Sequence, residues 1–475
     1  MKPCRAGFVL LTVLIVVMVS AMTAVSLLFA IRADATAQAA TAQGEQAWAA
    51  VMSGIQRAIS VAESSVQGAA AWEENPEAFR HQEVADDGAN RWYFTIWSAS
   101  ADDTSAVRFG LSDEASRLNV RTADPQWLAA LPGWTVDPDP GADPGSDLTG
   151  LPTETSEGDV TNASTNAPTG GLTSARSVAS ALREAGLSPA ALRGEDANYN
   201  LRLEPNEDDG DESLPGDNRD GVLDAGLQRF LTDLSYEPNT NPQGELRVDV
   251  SAPGVSLASL GLPSATQDYL AAMRTAGQSL NHVADLLEAR MTVPNERGEN
   301  VELESGVGAG EIVTLLAECT TRPDPRLPGL LNLNTAPPEA LAVLPGLDET
   351  LAESIVSTRR VLGAEEKASP AWVYTRGLVS AEQFRQIAPQ VTTRAFQFRF
   401  HCLGYGLPGG HYRVVEAVID VAEQPARLVS VRDLSRHGFP LPLDEVETDS
   451  AQARLKFGNR ATASAANAQL FAGRW

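Results

Sequence analysis

From Phe8 to Ile31 the chain runs for 24 residues without a charge. At 1.5 Å per residue such a helix is about 36 Å long, enough to cross a hydrocarbon core of about 30 Å with some tilt. Residues 8–31 are therefore read as a transmembrane helix, and every other segment has to be arranged around it. Lys2 and Arg5 precede the run, so the positive-inside rule leaves a short N-terminus in the cytoplasm and puts the body after Arg32 outside, in the periplasm of a two-membrane cell. A secretory signal peptide has an apolar core of about 7 to 15 residues and a small-x-small cleavage site behind it. This run is too long for that. Its boundary lies in front, where the basic leader MKPCRAG ends in Gly7 and meets Phe8 directly. An uncleaved signal anchor is the plainer reading of the same residues.

A chain of 475 residues exceeds one ordinary core, so more than one folded body is expected. Its 62 acidic and 36 basic residues give a net charge of -26, the wrong sign for a protein that neutralises phosphates, and nucleic acid is not an expected partner. Behind the apolar run, Trp48, Val51, Met52, Ile55, Ile59 and Ala62 recur at helical spacing, which predicts that the helix continues with one face docked on a domain. Gly54 inside it weakens the expectation of an unbroken rod. Arg91 to Ala99 reads as a strand, with Ser105 to Leu111 as its antiparallel partner across ADDT. Far downstream, Phe396, Phe398, Phe400 and Cys402 alternate with polar residues. After GYGLPGGH, Val415, Ala417, Ile419 and Val421 do the same, which predicts a hairpin with one buried face. Two β regions this far apart imply one small sheet interrupted by a large, mainly helical insertion.

The insertion repeats itself. RLNVRTADPQWLAALPG (117–133) and LLNLNTAPPEALAVLPG (330–346) agree at ten of 17 positions without a gap, and a weaker third copy starts at Arg247 (RVDVSAPG). Each good copy has a turn, a helix opened by Pro and a Leu-Pro-Gly stop. LDETLAESIVSTRR then supplies a second helix, so 330–360 reads as a helix-hairpin-helix. Residues 137–171 have almost no large apolar side chain and read as a linker or surface loop.

Between 195 and 224 there are eleven Asp or Glu and two Arg. Asp196, Asn198, Asn200, Glu204 and Glu207 occupy positions 1, 3, 5, 9 and 12 of an EF-hand-like loop, with the Arg202 carbonyl at position 7. That spacing wraps oxygens around one hard cation, and calcium is the expected cofactor. Leu201 stands where such a loop wants Gly. A second loop offers Asn218, Asp220, Gly221 and Asp224 at positions 3, 5, 6 and 9, but Gly216 occupies the first ligand position, so Asp217, Asp209 or Asp211 must supply the missing oxygen. A solvated acidic loop is the alternative.

Beyond the apolar run the chain has two cysteines, Cys319 and Cys402. They form either one disulfide or two buried thiols, since sequence carries no Cα geometry. The five histidines show no metal spacing, and no nucleophile elbow, P-loop or dinucleotide fingerprint occurs. An enzyme is not expected. His401 and His411 are read simply as residues at the ends of the predicted hairpin strands.

The leader ending at Gly7 and Phe8 resembles that of type IV pilins and pseudopilins, where a prepilin peptidase cuts after the glycine and the new N-terminus is methylated. Most of that family has Glu at the fifth mature position; here it is Thr12, a departure shared by the K-type minor pseudopilins of type II secretion. LNLNTAPPEAL, the acidic loops and the closing FRF hairpin resemble that group too. The resemblance implies an α+β fold: a pilin-like long N-terminal transmembrane helix packed on a small antiparallel sheet, with a large inserted mainly α-helical domain containing helix-hairpin-helix (SAM-like) units. It divides the chain into a leader (1–7), membrane helix (8–31), amphipathic helix and first strands (32–115), inserted domain (116–393), closing strands (394–430) and a C-terminal extension (431–475). It further implies an inner-membrane location and calcium in the helical domain. The implied partners are prepilin peptidase, the major pseudopilin and the I-, J- and H-type minor pseudopilins, and the implied role is at the tip of the pseudopilus. LNLNTA followed by LPG also resembles the helix-hairpin-helix of periplasmic DNA receptors. However, Asp348 sits in the hairpin where a phosphate would lie, and Arg359 and Arg360 are the nearest basic pair.

Overall fold

The computed structural model describes residues 6–442 except 66–70, 100–106, 135–176, 188, 211, 214–215, 253–256, 258–259 and 295–299. The linker expected at 137–171 and residues 443–475 thus lie outside the described residues, as do residues 1–5 of the leader.

One helix, α1 (Ala6–Ser65), takes in both the apolar run and the amphipathic stretch behind it. Its first half presents apolar side chains such as Leu14, Met18, Leu28 and Phe29 to the outside and is long and apolar enough to cross a membrane. In its second half Ala47, Ala50, Val51, Ile55, Ala58 and Ala62 are buried against a sheet, with Met52 and Ile59 half-buried beside them. Trp48, expected on that face, stays 36% exposed. Gly54 does not break the helix. A Cβ there would meet Cys402 Sγ at 2.6 Å and the Phe94 ring at 3.1 Å, so its bareness lets the helix close on the sheet.

The main path of the sheet runs β1 (Gln82–Asp86), β2 (Arg91–Ala99), β3 (Gln397–Leu407), β4 (Tyr412–Asp420) and β5 (Arg427–Asp433), antiparallel throughout and adjacent in that order, with two-residue strands Val107–Arg108 beside β2 and Ser112–Asp113 beside β3. Residues 100–396 therefore leave and re-enter between two neighbouring strands. Period-two alternation sorts the faces. Phe94, Ile96, Phe398, Phe400, Cys402, Val415, Ala417 and Ile419 pack on α1. Tyr93, Trp97, Leu403, Tyr405 and Val414 form a smaller core on the opposite face.

Three local expectations are corrected. Of the stretch Ser105 to Leu111, expected as the antiparallel partner of β2, the described residues pair through Val107–Arg108, opposite Ser98 and Ala99; the long partners of β2 are β1 and β3. Gly404 to Leu407, read as part of the hairpin loop, belong to β3. A Cβ on Gly404 would stand 2.3 Å from the Ala47 carbonyl of α1, so this glycine marks helix contact and not a turn. β5 runs beyond residue 430, and Leu434 and Leu441 are buried under the second face, so 431–442 belongs to the folded body.

The insertion contains three consecutive units built alike. In each, two residues pair in parallel with two residues from the unit's end: Leu118–Asn119 with Leu231–Thr232, Val248–Asp249 with Cys319–Thr320, and Leu331–Asn332 with Val391–Thr392. The opening Asn119, Asp249 or Asn332 takes the backbone N–H two residues on, at 3.0, 2.8 and 2.9 Å. The closing Thr232, Thr320 or Thr392 does the same for Leu234, Arg322 and Arg394. The weak third copy at Arg247 is thus a full structural repeat. In the last unit α2 (Pro338–Ala342) and α3 (Glu349–Val361) pack as a helical pair.

Asp113 and Glu114 join insertion to sheet. Asp113 is buried and accepts from Asn332 Nδ2 and Thr335 Oγ1, both at 2.7 Å. Glu114 is fully buried and bonds Arg399 (2.6 Å), Arg117 (2.8 Å) and the Thr232 hydroxyl. Arg399 reaches Glu416 with its other arm at 2.6 Å. Burial opposes the Glu114 charge, but the two arginines outweigh it and hold its pKa down at about 2. Removing one partner of such a buried network leaves a charge uncompensated, at a cost of about 3 kcal/mol or more. Arg399→Leu is accordingly expected to lower the urea midpoint of the full chain in detergent substantially. An unchanged midpoint would show that the seam contributes no stability.

Candidate functional site

The acidic segment folds into two loops joined at their bases. Glu195 N–H donates to the Asp224 carbonyl at 2.8 Å, and Asp224 N–H returns to Glu195 Oε2 at 3.1 Å. Gly194 and Gly226, both at positive φ, make this possible: a Cβ on Gly194 would stand 2.1 Å from the Asp224 carbonyl oxygen.

In the first loop Asp196, Asn200 and Glu207 are almost completely buried. Asp196 accepts Asn200 N–H and Leu201 N–H, both at 3.1 Å, so the first position gathers the amides of the fifth and sixth. Leu201 adopts φ +65°, the conformation for which a glycine is usual at this position. Its side chain does not prevent the loop from winding, although the left-handed region costs a non-glycine residue about 1 kcal/mol. Asn198 Oδ1 takes Asn200 N–H, and Asn200 Oδ1 takes Arg202 N–H. The amide nitrogens of Asn198 and Asn200 both donate to Glu204, at 2.9 and 3.1 Å. Glu207 spans the loop's ends, accepting Ala197 N–H and Glu204 N–H.

The second loop is more exposed. Asn218 and Asp220 each cap the amide two residues on, and Gly221 lies at φ +73°. Its N–H donates to Asp208 Oδ1 at 3.2 Å. That is the bond Leu201 makes to Asp196 in the first loop, so Asp208 stands where Gly216 left the first position vacant. Sequence reasoning missed this residue because it lies upstream of the loop and reaches it only in three dimensions. Asp217 is engaged otherwise, accepting Asp209 N–H and Gly210 N–H to close the intervening turn. Asp211 lies outside the described residues. Asp224 serves the base of the loop, where its carboxylate caps Gly226 N–H.

The donor set of the first loop suits a hard cation: its side-chain candidates are all carboxylate or amide oxygens. Among the described residues, however, no three His, Cys, Asp or Glu side chains stand in metal-holding geometry; Glu204 spends both oxygens on the two asparagines. Gly7 and Phe8 lie within the first turns of α1. Cys319 belongs to the core of the insertion, and Cys402 to the core beneath α1. Both are free and buried, so of the two readings the structure has the pair of thiols and no disulfide. Burial pushes the Cys319 pKa up to about 12. His401, expected at a strand end, sits within β3, 4% exposed and stacked on Trp97. The acidic loops rest on the same face of the sheet, where Trp97 Nε1 donates to the Asn200 carbonyl at 3.1 Å. No family model matches the chain and no curated protein matches it.

Desolvation raises the Asp196 pKa to about 6 and that of Glu207 to about 7. A carboxyl with a raised folded-state pKa keeps protons that the unfolded chain has already released, so its stabilisation is complete at low pH and disappears as pH rises through the folded value. Asp196 and Glu207 are therefore expected to withdraw stability from the metal-free protein between about pH 4 and pH 7, while the buried His282 and His401, whose pKa values desolvation lowers to about 4, act in the opposite direction. Urea unfolding of the natural chain and of Glu207→Gln in EGTA across that range checks this: the stability of the natural chain relative to the variant is expected to fall as pH rises, and calcium is expected to restore it at neutral pH in the natural chain but not in Asp196→Ala.

Proposed function

We propose that the protein is a non-enzymatic subunit of a bacterial type II secretion pseudopilus, a K-type minor pseudopilin held in the inner membrane by α1 with its body in the periplasm. The observation that carries this reading is the two-part character of α1. One unbroken helix is apolar and exposed in its first half, then docks through Val51, Ile55 and Ala62 on an antiparallel sheet. That is the build of a pilin subunit: the first half lies in lipid until assembly, then packs among the same helices of other subunits, where small residues and van der Waals fit take over from lipid contact.

The insertion between β2 and β3 favours the K-type within that class. Its bulk lies beside the sheet, where it would obstruct a subunit stacked above, and Thr12 offers no carboxylate to a neighbour's N-terminus. Both features suit the tip, in complex with I- and J-type subunits and next to the H-type and major pseudopilin, where the protein would initiate the pseudopilus and limit its length during export of folded proteins. Calcium, held by the loop of Asp196, Asn198, Asn200, Arg202, Glu204 and Glu207 and by the loop of Asn218, Asp220 and Asp224 with Asp208 at its first position, would stiffen the inserted domain by offsetting repulsion among eleven nearby carboxylates.

A membrane-anchored DNA-binding protein is the second reading, and the hairpin weighs against it. Asp348 caps α3 by accepting Leu351 N–H at 2.8 Å, placing negative charge at the turn. Arg359 is buried and spends its guanidinium on the Leu333 and Ala336 carbonyls. Neither arrangement grips a phosphate.

The mass and N-terminal sequence of the protein, isolated from membranes of cells with and without prepilin peptidase, test the proposal. A chain that begins at methylated Phe8 only when the peptidase is present is the expected result. An intact Met1 in both strains, or a cut beyond Ile31, overturns it.

A further inference from the structure

Between the second face of the sheet and the insertion lies a cavity of about 710 Å³, within the range that holds small organic ligands. It is basic although the chain is strongly acidic: eight arginine or lysine residues line it against five aspartate or glutamate residues. Lys367, one of only three lysines in the chain, is among them.

Two of its lining residues carry buried polar atoms with no hydrogen-bond partner among the described residues. His401 is 4% exposed, and neither of its ring nitrogens is bonded. Asn334 donates its amide nitrogen to the Lys367 and Thr393 carbonyls, at 3.0 and 3.4 Å, which fixes the orientation of the amide and leaves Oδ1 buried without a donor. Leaving such groups dry and unbonded costs about 1–3 kcal/mol each. Two cations on the wall make no hydrogen bond through their charged groups among the described residues: the Lys367 ammonium has no ion pair either, and the Arg432 guanidinium stacks on Tyr199 at 4.4 Å and feels the Glu416 charge across the strand pair.

We infer that this cavity binds a small hydroxylated organic anion, of the kind represented by sugar acids and sugar phosphates. The anionic group answers Lys367 and Arg432. The hydroxyl groups answer the rest: a neutral imidazole offers one donor and one acceptor, and Asn334 Oδ1 requires a donor from the ligand. An inorganic anion without protons, such as sulfate, lacks the hydroxyls that Asn334 and the accepting nitrogen of His401 need, and a neutral sugar lacks the charge. The balance of lining groups thus selects for both features in one molecule.

Isothermal titration of the full chain in detergent micelles with gluconate and with glucose 6-phosphate tests this, using sulfate and glucose as controls. Saturable binding of at least one of the two probes is expected, with both controls about tenfold weaker or worse. His401→Phe and Lys367→Ala are each expected to weaken the binding about tenfold. Lys367 is only partly buried, so its variant keeps the test valid if the histidine variant fails to fold. The inference is overturned if neither probe gives saturable heat at millimolar concentration, if a control binds as tightly, or if Lys367→Ala binds like the natural chain.

Discussion

Two adjacent acidic residues, Asp113 and Glu114, hold the two halves of the molecule together. The chain passes through them as it leaves the sheet, and they bond at once to the first unit of the insertion, to its last unit and to the returning strand β3. Because residues 100–396 depart from and return to neighbouring strands, the insertion could otherwise swing about its two connections. A buried charge with directional bonds allows few alternative arrangements: without Arg399, Glu114 and Glu416 would stay desolvated and lose the guanidinium they share. The seam therefore sets the register between domains, and the acidic loops and the basic cavity depend on it for their position on the second face of the sheet.

The insertion is economical in its local rules. A side chain that captures the backbone N–H two residues ahead, a two-residue parallel pairing and a threonine that repeats the capture recur in all three units. None of these pairings is long enough to stand alone as a sheet. The units persist because their helices and apolar residues, Leu118, Val250 and Leu331 among them, share one continuous core. The acidic loops lie inside the first unit, so whatever stiffens them also stiffens the contact between Asn200 and Trp97 on the sheet.

Much of this was legible in the residues. The uncharged run, the helical spacing of Val51, Ile55 and Ala62 and the alternation of Phe398, Phe400 and Cys402 each express a period of one local element, and periods survive without tertiary information. The first acidic loop was legible because its candidate ligands lie within twelve consecutive residues. Where expectation failed, the cause was long-range. Gly404 looks like a turn residue until α1 is seen pressed against it, and the segment after ADDT pairs with β2 through Val107–Arg108 while a strand about 300 residues away takes the longer edge.

The sequence by itself determined the elements: one apolar-then-amphipathic helix, strands with one buried face, a repeated turn-helix motif and an oxygen-rich loop. These depend on side chains within a few positions of one another. Only the tertiary structure decided which strands are neighbours, that Cys319 and Cys402 lie in separate cores, that Asp208 completes the second loop, and that the His401 ring nitrogens and Asn334 Oδ1 line one cavity with no hydrogen-bond partner among the described residues. Those facts join residues far apart along the chain, and only folding brings such residues together.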